Sequence, residues 1–440
     1  MIGKEWKWSI RSFCLGLFIM AVVVNIAAIL LIPLRDQFSL SFEQAARLVL
    51  INFLTQMVVD LIAGALSSKI SARLLLVTGT ICAFLGFILF ALLPSIMPSP
   101  YLGLMISIIL LATGSGVYEM LISPLMNAIP SDTKTEDMAF LHSFYAWGSV
   151  FFIVSSTIIF FITGTINIGV DTQNLADTFY NGIKYWKIIP IVWAVPTLFL
   201  IFAFAKIKLP KWIEEEKRQR LRDIIKKPYM ILMLAAICVG AMVENIAALW
   251  ISAFSERGLG IDKFIGDLTG MALLFVAMAV TRSWFGKFGE KINMSIYLMW
   301  CAILSSCLFI IAAVSPNPVI SLAALVLVGF SASMMWPGAL SMSANYFPLA
   351  GATMFAVMAC AGDSGAGIGP WMTGIFADNA NITGITSNIF AYFGNDNLDI
   401  EAFKIRHALL VSTIFPLILL MIYFTANKVS KKKHIMKKMN

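Results

Sequence analysis

Four carboxylates stand out inside long apolar runs, Asp60, Glu119, Glu244 and Asp363, and an acid in that setting is suited to one kind of chemistry. An ionised carboxylate near the centre of a bilayer costs about 2.5–3.5 kcal/mol on insertion scales, so it faces a cavity, pairs with a partner or takes up a proton. Burying the neutral acid costs less than burying its anion, so protonation can bias a protein between two shapes. Glu119 is followed at four-residue steps by Ser123 and Asn127, which makes one polar stripe on an otherwise apolar helix. Asp363 lies about twelve residues into its run, about 18 Å deep, among Gly362, Gly365, Gly367, Gly369 and Pro370. Small residues allow close helix approach, and proline removes a helical hydrogen bond, which leaves carbonyls for a solute or a cation. Glu119 and Asp363 are therefore candidates for proton or ion coupling, with Na⁺ at Asp363 as the competing version. Each has a structural alternative, a hydrogen bond to a neighbouring helix.

Around these acids lie the candidates for solute contact. Glu244 and Asn245 fall in the outer half of their run, in line with Gly240, Ala248 and Ser252, and solute contact and helix–helix hydrogen bonding are equally good accounts of them. Tyr145, Trp147 and Trp336 can offer flat apolar walls with a polar tip. Asp60 and Arg282 fall about one turn from the ends of their runs, where opposite charges suit a gate and snorkelling to the interface is the alternative.

The elements that must carry these residues are membrane-spanning helices. Of 440 residues, 59% are hydrophobic and 13% charged, about half the charged share of a soluble domain. Twelve apolar stretches run over 10–33, 42–66, 74–94, 101–127, 138–163, 187–207, 229–253, 264–286, 294–314, 319–344, 351–375 and 407–426. Each is about 20 residues or longer, enough to cross ~30 Å of hydrocarbon. The expected fold is an all-α membrane protein with an N-terminal six-helix bundle over 1–205, a charged cytoplasmic linker over 206–228, a C-terminal six-helix bundle over 229–427 and a basic tail over 428–440.

Charge supports that count. With both termini in the cytoplasm, 24 of the 32 Lys and Arg fall on the inner side, as the bias of basic loops against translocation requires. The net charge of +8 is then a topology signal, and no basic patch with interleaved aromatics points to nucleic acid. The six cysteines all fall within the apolar stretches and none forms a metal-ligand spacing. No phosphate-cradling glycine loop followed by lysine is present. Enzymatic chemistry, a metal and an organic cofactor are not expected.

The two halves repeat. A constant shift lays Asp60, Gly64, Ser68 and Lys69 on Arg282, Gly286, Glu290 and Lys291, the pattern of transporters built from related six-helix halves. Here the chain resembles the major facilitator superfamily along its whole length. That family's mark after its second helix is a tight cytoplasmic turn with glycine, an acid and basic residues. The first copy runs from Gly64 to Arg73 with Ser68 at the acidic position, whereas the second, Gly286-Lys287-Phe288-Gly289-Glu290-Lys291, keeps its acid. The resemblance implies a cytoplasmic latch at these turns, with Asp60 standing in for the missing acid. His142-Ser143-Phe144-Tyr145-Ala146-Trp147-Gly148, Trp336-Pro337-Gly338 and Gly362-Asp363-Ser364-Gly365 resemble the bacterial fucose-permease branch, which includes proton-coupled sugar symporters whose helix 4 carries a proton-linked Glu. The function implied is alternating-access symport of a small polar solute by a monomer in the bacterial inner membrane. Drug efflux is the alternative of the same class, and a sensor on a transporter scaffold is the alternative of another.

Overall fold

The computed structural model describes residues 4–66, 70–130, 134–162, 186–210, 224–288, 292–347, 351–381, 384–395 and 398–439. Among them there is no strand, and the chain is a succession of long helices. Eleven are apolar and long enough, at 19 to 31 residues, to cross a membrane. This is a multi-pass, all-α membrane protein of the kind found in plasma or inner membranes. We label the helices α1 (Lys7–Ile29), α2 (Phe42–Leu66), α3 (Ala72–Ile96), α4 (Pro100–Ala128), α5 (Lys134–Ile162), α6 (Ile188–Lys206), α7 (Pro228–Ala253), α8 (Leu273–Phe288), α9 (Met294–Val314), α10 (Pro318–Ala332, resuming as Met335–Tyr346), α11 (Gly351–Asp378) and α12 (Ile400–Ser412, continued by Ile414–Met439).

Local chemistry sets where these helices begin. At the start of α2, Ser41 and Gln44 form a capping box, each side chain bonding the other's backbone N–H at 3.0 Å. Ser71, Asn293 and Asn317 cap α3, α9 and α10 by accepting from first-turn N–H groups, and Pro318 at the first position of α10 has no N–H to leave unpaired. Asp399 caps α12 by accepting from Ala402 N at 2.9 Å, so this helix begins seven residues before the apolar run at 407.

The chain divides into two compact units, Met1–Glu214 with Asp262–Leu268, and Glu215–Ile261 with Thr269–Asn440. In the first, glycines bring α3 and α4 together. A Cβ on Gly79 would meet Val117, and one on Gly114 would strike Ala83 and the Gly79 carbonyl. Arg73 ties α3 to the end of α6, donating to the carbonyls of Phe204 at 3.1 Å, Ile207 at 2.8 Å and Ala205. In the second unit α11 lies on α7 through Gly365 and Gly369, whose missing side chains admit the backbone of Cys238 and of Met242. The buried Arg406 of α12 donates to Gly258, Ala313 and Ser315 carbonyls at 2.9–3.1 Å, closing the ends of α7 and α9. One residue outside the expected stretch, it had no reason to be singled out.

Candidate functional site

In the first unit α2 and α4 approach closely, because Gly116 leaves room for the backbone of Gln56 at the contact. Across that contact Ser115 Oγ donates to Gln56 Oε1 at 3.2 Å. One turn further along each helix, carboxylate oxygens of Asp60 and Glu119 lie within 4.8 Å of each other. Both residues are half-buried. The sequence assigns Asp60 to a surface gate and Glu119, on another helix, to coupling, whereas the fold makes them neighbours. Two carboxylates that close in an apolar setting do not both hold a full negative charge without a proton or cation between them. Ser123 continues the α4 stripe as a half-buried residue. Asn127 and Gly64 lie in their helices, but their side-chain surroundings, like the residues around Ser68 and Lys69, fall outside the description.

In the second unit Glu244 has a definite partner. Arg282 Nη2 donates to both of its carboxylate oxygens, at 3.1 and 3.3 Å, while Arg282 Nε donates to the Ser333 carbonyl at 3.0 Å. The pair ties α7 and α8 to the point where α10 breaks. The sequence sets Arg282 opposite Asp60 as a gate; in the structure its guanidinium meets Glu244 and the Ser333 carbonyl within its own half. Asn245 turns back on its helix, donating to Ala241 O at 3.0 Å, which uses one of its amide hydrogens internally. Gly286 is helical without a described environment, and Glu290 lies outside the described residues.

Asp363 is 3% exposed. Its neighbour Gly362 takes the face of Trp336, since a Cβ there would run into the indole ring. Pro370 does not end α11, which continues to Asp378, and the buried Trp250 donates to the Pro370 carbonyl at 3.3 Å. Tyr145 is half-buried, whereas Trp147 is 66% exposed and lies outside the packed interior of its half. A further intramembrane acid escaped notice at the sequence level. Asp267, fully buried at the entry to α8, has Lys263 Nζ at 3.2 Å; the signal was its i, i+4 spacing from Lys263.

The Major Facilitator Superfamily profile matches residues 13–370. Among solved structures, a bacterial homologue of the human lysosomal transporter Spinster, inward-facing and occupied, aligns with a TM-score of 0.76 at 13% identity, covering 97% of this chain and 98% of that one. The E. coli fucose:proton symporter aligns at 0.61 and 14% identity, covering 96% and 99%. A nucleoside transporter aligns at 0.70 and 10% identity, covering 96% and 100%. Fold likeness is thus spread over several branches and does not single out the fucose-permease type. None of the curated proteins compared with the chain matches it.

Proposed function

The chain belongs to the Major Facilitator Superfamily, and from that premise we propose that it is a secondary active transporter which moves a small polar solute, a sugar in the favoured version, by alternating access with proton symport. In this reading α1–α6 and α7–α12 form the two bundles, both termini face the cytoplasm, and the turns at Gly64–Lys69 and Gly286–Lys291 act as inner latches. The observation that carries the coupling is the approach of Asp60 and Glu119 within the apolar first half. A proton held there lowers the charge that must be buried when the protein occludes, and its release restores it. Asp363, buried in the second half beside Gly362 and Trp336, is the second candidate for coupling. The polar groups of Glu244 and Asn245 already have partners, which favours a structural role over solute contact. A fucose:proton symporter among the similar folds supports the choice of ion and solute class.

The test is uptake of a panel of labelled sugars and other polar solutes into proteoliposomes under an imposed pH gradient. Accumulation is expected only with the gradient. Glu119→Gln should abolish accumulation while leaving solute exchange in place, because the change removes a titrating group and keeps most of its shape. Unaltered uphill uptake by that variant would exclude Glu119 as the coupling group.

A further inference from the structure

Asn52 and Gln56 precede Asp60 at four-residue steps, so three polar side chains share one face of α2. That face meets Ser115 and Glu119, themselves one turn apart on α4. Several polar side chains in the described apolar helices satisfy themselves by donating to the carbonyl four residues back, as Thr80 does to Leu76, Thr157 to Ile153 and Asn25 to Ala21. The α2 stripe does not. Asn52 is 2% exposed and neither of its amide atoms has a partner; Gln56 is fully buried with its Nε2 unpaired; Asp60 Oδ1 is buried and unpaired. Orphaned polar groups cost several kcal/mol each in hydrocarbon. A row of them ending at two acids calls for an occupant that is positive and carries water with it. The spacing of the acids fits one, since oxygens up to 4.8 Å apart can both lie about 2.4 Å from an ion between them, a hard-cation distance.

We propose that Asp60 and Glu119, with Gln56 and Ser115 one turn away, form a binding site for a small, partly hydrated monovalent cation, Na⁺, within the first half of the protein. The donors that α2 and α4 bring to one another here are two carboxylates, an amide and a hydroxyl. Ca²⁺ takes six to eight oxygens, and Mg²⁺ demands a near-ideal octahedron and gives up water reluctantly, so a monovalent ion suits this site better than either. Waters kept by the ion supply both donors and acceptors to the amides of Gln56 and Asn52. A proton and Na⁺ would compete for the same two acids, which links the site to the proposed coupling. Binding itself requires neither a solute nor a gradient, so uptake driven by a pH gradient tests the coupling alone and ion binding tests this site alone.

The experiment is thermal unfolding of the purified full-length protein, without solute, in NaCl, LiCl, KCl, CaCl₂ or choline chloride at matched ionic strength and constant pH. Na⁺ is expected to raise Tm saturably over choline. The rise should vanish in Asp60→Asn and Glu119→Gln, and Gln56→Leu should weaken the apparent affinity by about tenfold to a hundredfold, as loss of a supporting ligand does. Equal Tm in Na⁺ and choline, stabilisation by Ca²⁺ alone, or an undiminished Na⁺ response in Asp60→Asn/Glu119→Gln would overturn the proposal. Should the variants fail to fold, binding of radioactive sodium to the wild type decides it: saturable binding that competes with protons supports the site, and no saturable binding removes it.

Discussion

At the scale of single residues, the charges inside the membrane divide by how they are met. Glu244 and Arg282 form a pair whose side chains are 18% and 40% exposed, so removing one partner should cost less than the 3–5 kcal/mol typical of a fully buried pair, about 1–3 kcal/mol. Arg282→Ala is expected to lower Tm more than Glu244→Gln, because Gln still offers an oxygen to the guanidinium, while alanine leaves a carboxylate alone in an apolar helix. A double-mutant cycle with Glu244→Gln and Arg282→Ala checks this, and additive losses would show that the two side chains do not interact. That Glu244 and Arg282 are functional candidates was legible from type and position in apolar runs. Their pairing was not, because they stand 38 residues apart in the chain and counting residues along a helix ignores the reach of an arginine side chain. The same holds for Asp60 and Glu119, which only the packing of α2 on α4 makes neighbours.

At the scale of helices, most of the architecture was written in local signals. The Ser41–Gln44 box, the asparagine caps before α9 and α10 and the prolines at Pro100, Pro228 and Pro318 mark the starts where they were expected, to within a few residues. The start of α12 falls earlier than expected because hydropathy discounts Lys404 and Arg406, whereas the fold accepts the buried guanidinium by giving it three carbonyls. Pro370 was expected to mark a bend that frees carbonyls. The helix runs through it, and the carbonyl that accepts from Trp250 is Pro370's own, not that of Ala366, which loses its helical donor to the proline. What Gly365 does is sharper than the sequence could say, since it admits the backbone of α7 at Cys238. Backbone cannot move aside as a flexible side chain can, so Gly365→Ala should destabilise by about 1–3 kcal/mol or more through overpacking. Gly384→Ala, where a Cβ meets its nearest neighbour at an ordinary 3.4 Å, should leave Tm nearly unchanged. Equal melting temperatures for the two variants would mean that α7 and α11 do not rely on that close approach.

At the scale of the whole molecule, orientation depends on a count that any single helix can upset. The basic residues between Lys206 and Lys227 and those from Lys428 onward sit on one side only if an even number of crossings separates them, and the bias of Lys and Arg predicts that side to be the cytoplasm. Eleven helices satisfy length and hydropathy, and the expected even count requires α11, 28 residues long with Asp363 buried within it, to cross as well. Glycine-rich and interrupted by an acid, it falls short of the hydropathy of the other eleven, although 351–375 reads as an apolar stretch in the sequence. The consequence is testable with single cysteines introduced at Glu215 and at Met436 in a background lacking the native thiols, of which Cys307 is the exposed one. A membrane-impermeant maleimide should fail to label either position from outside intact cells and should label both in inverted vesicles. If the tail reacts from outside while the central segment does not, then α11 does not cross the membrane. The second half would then hold five spans, and Asp363 would lose the depth on which its part in coupling rests.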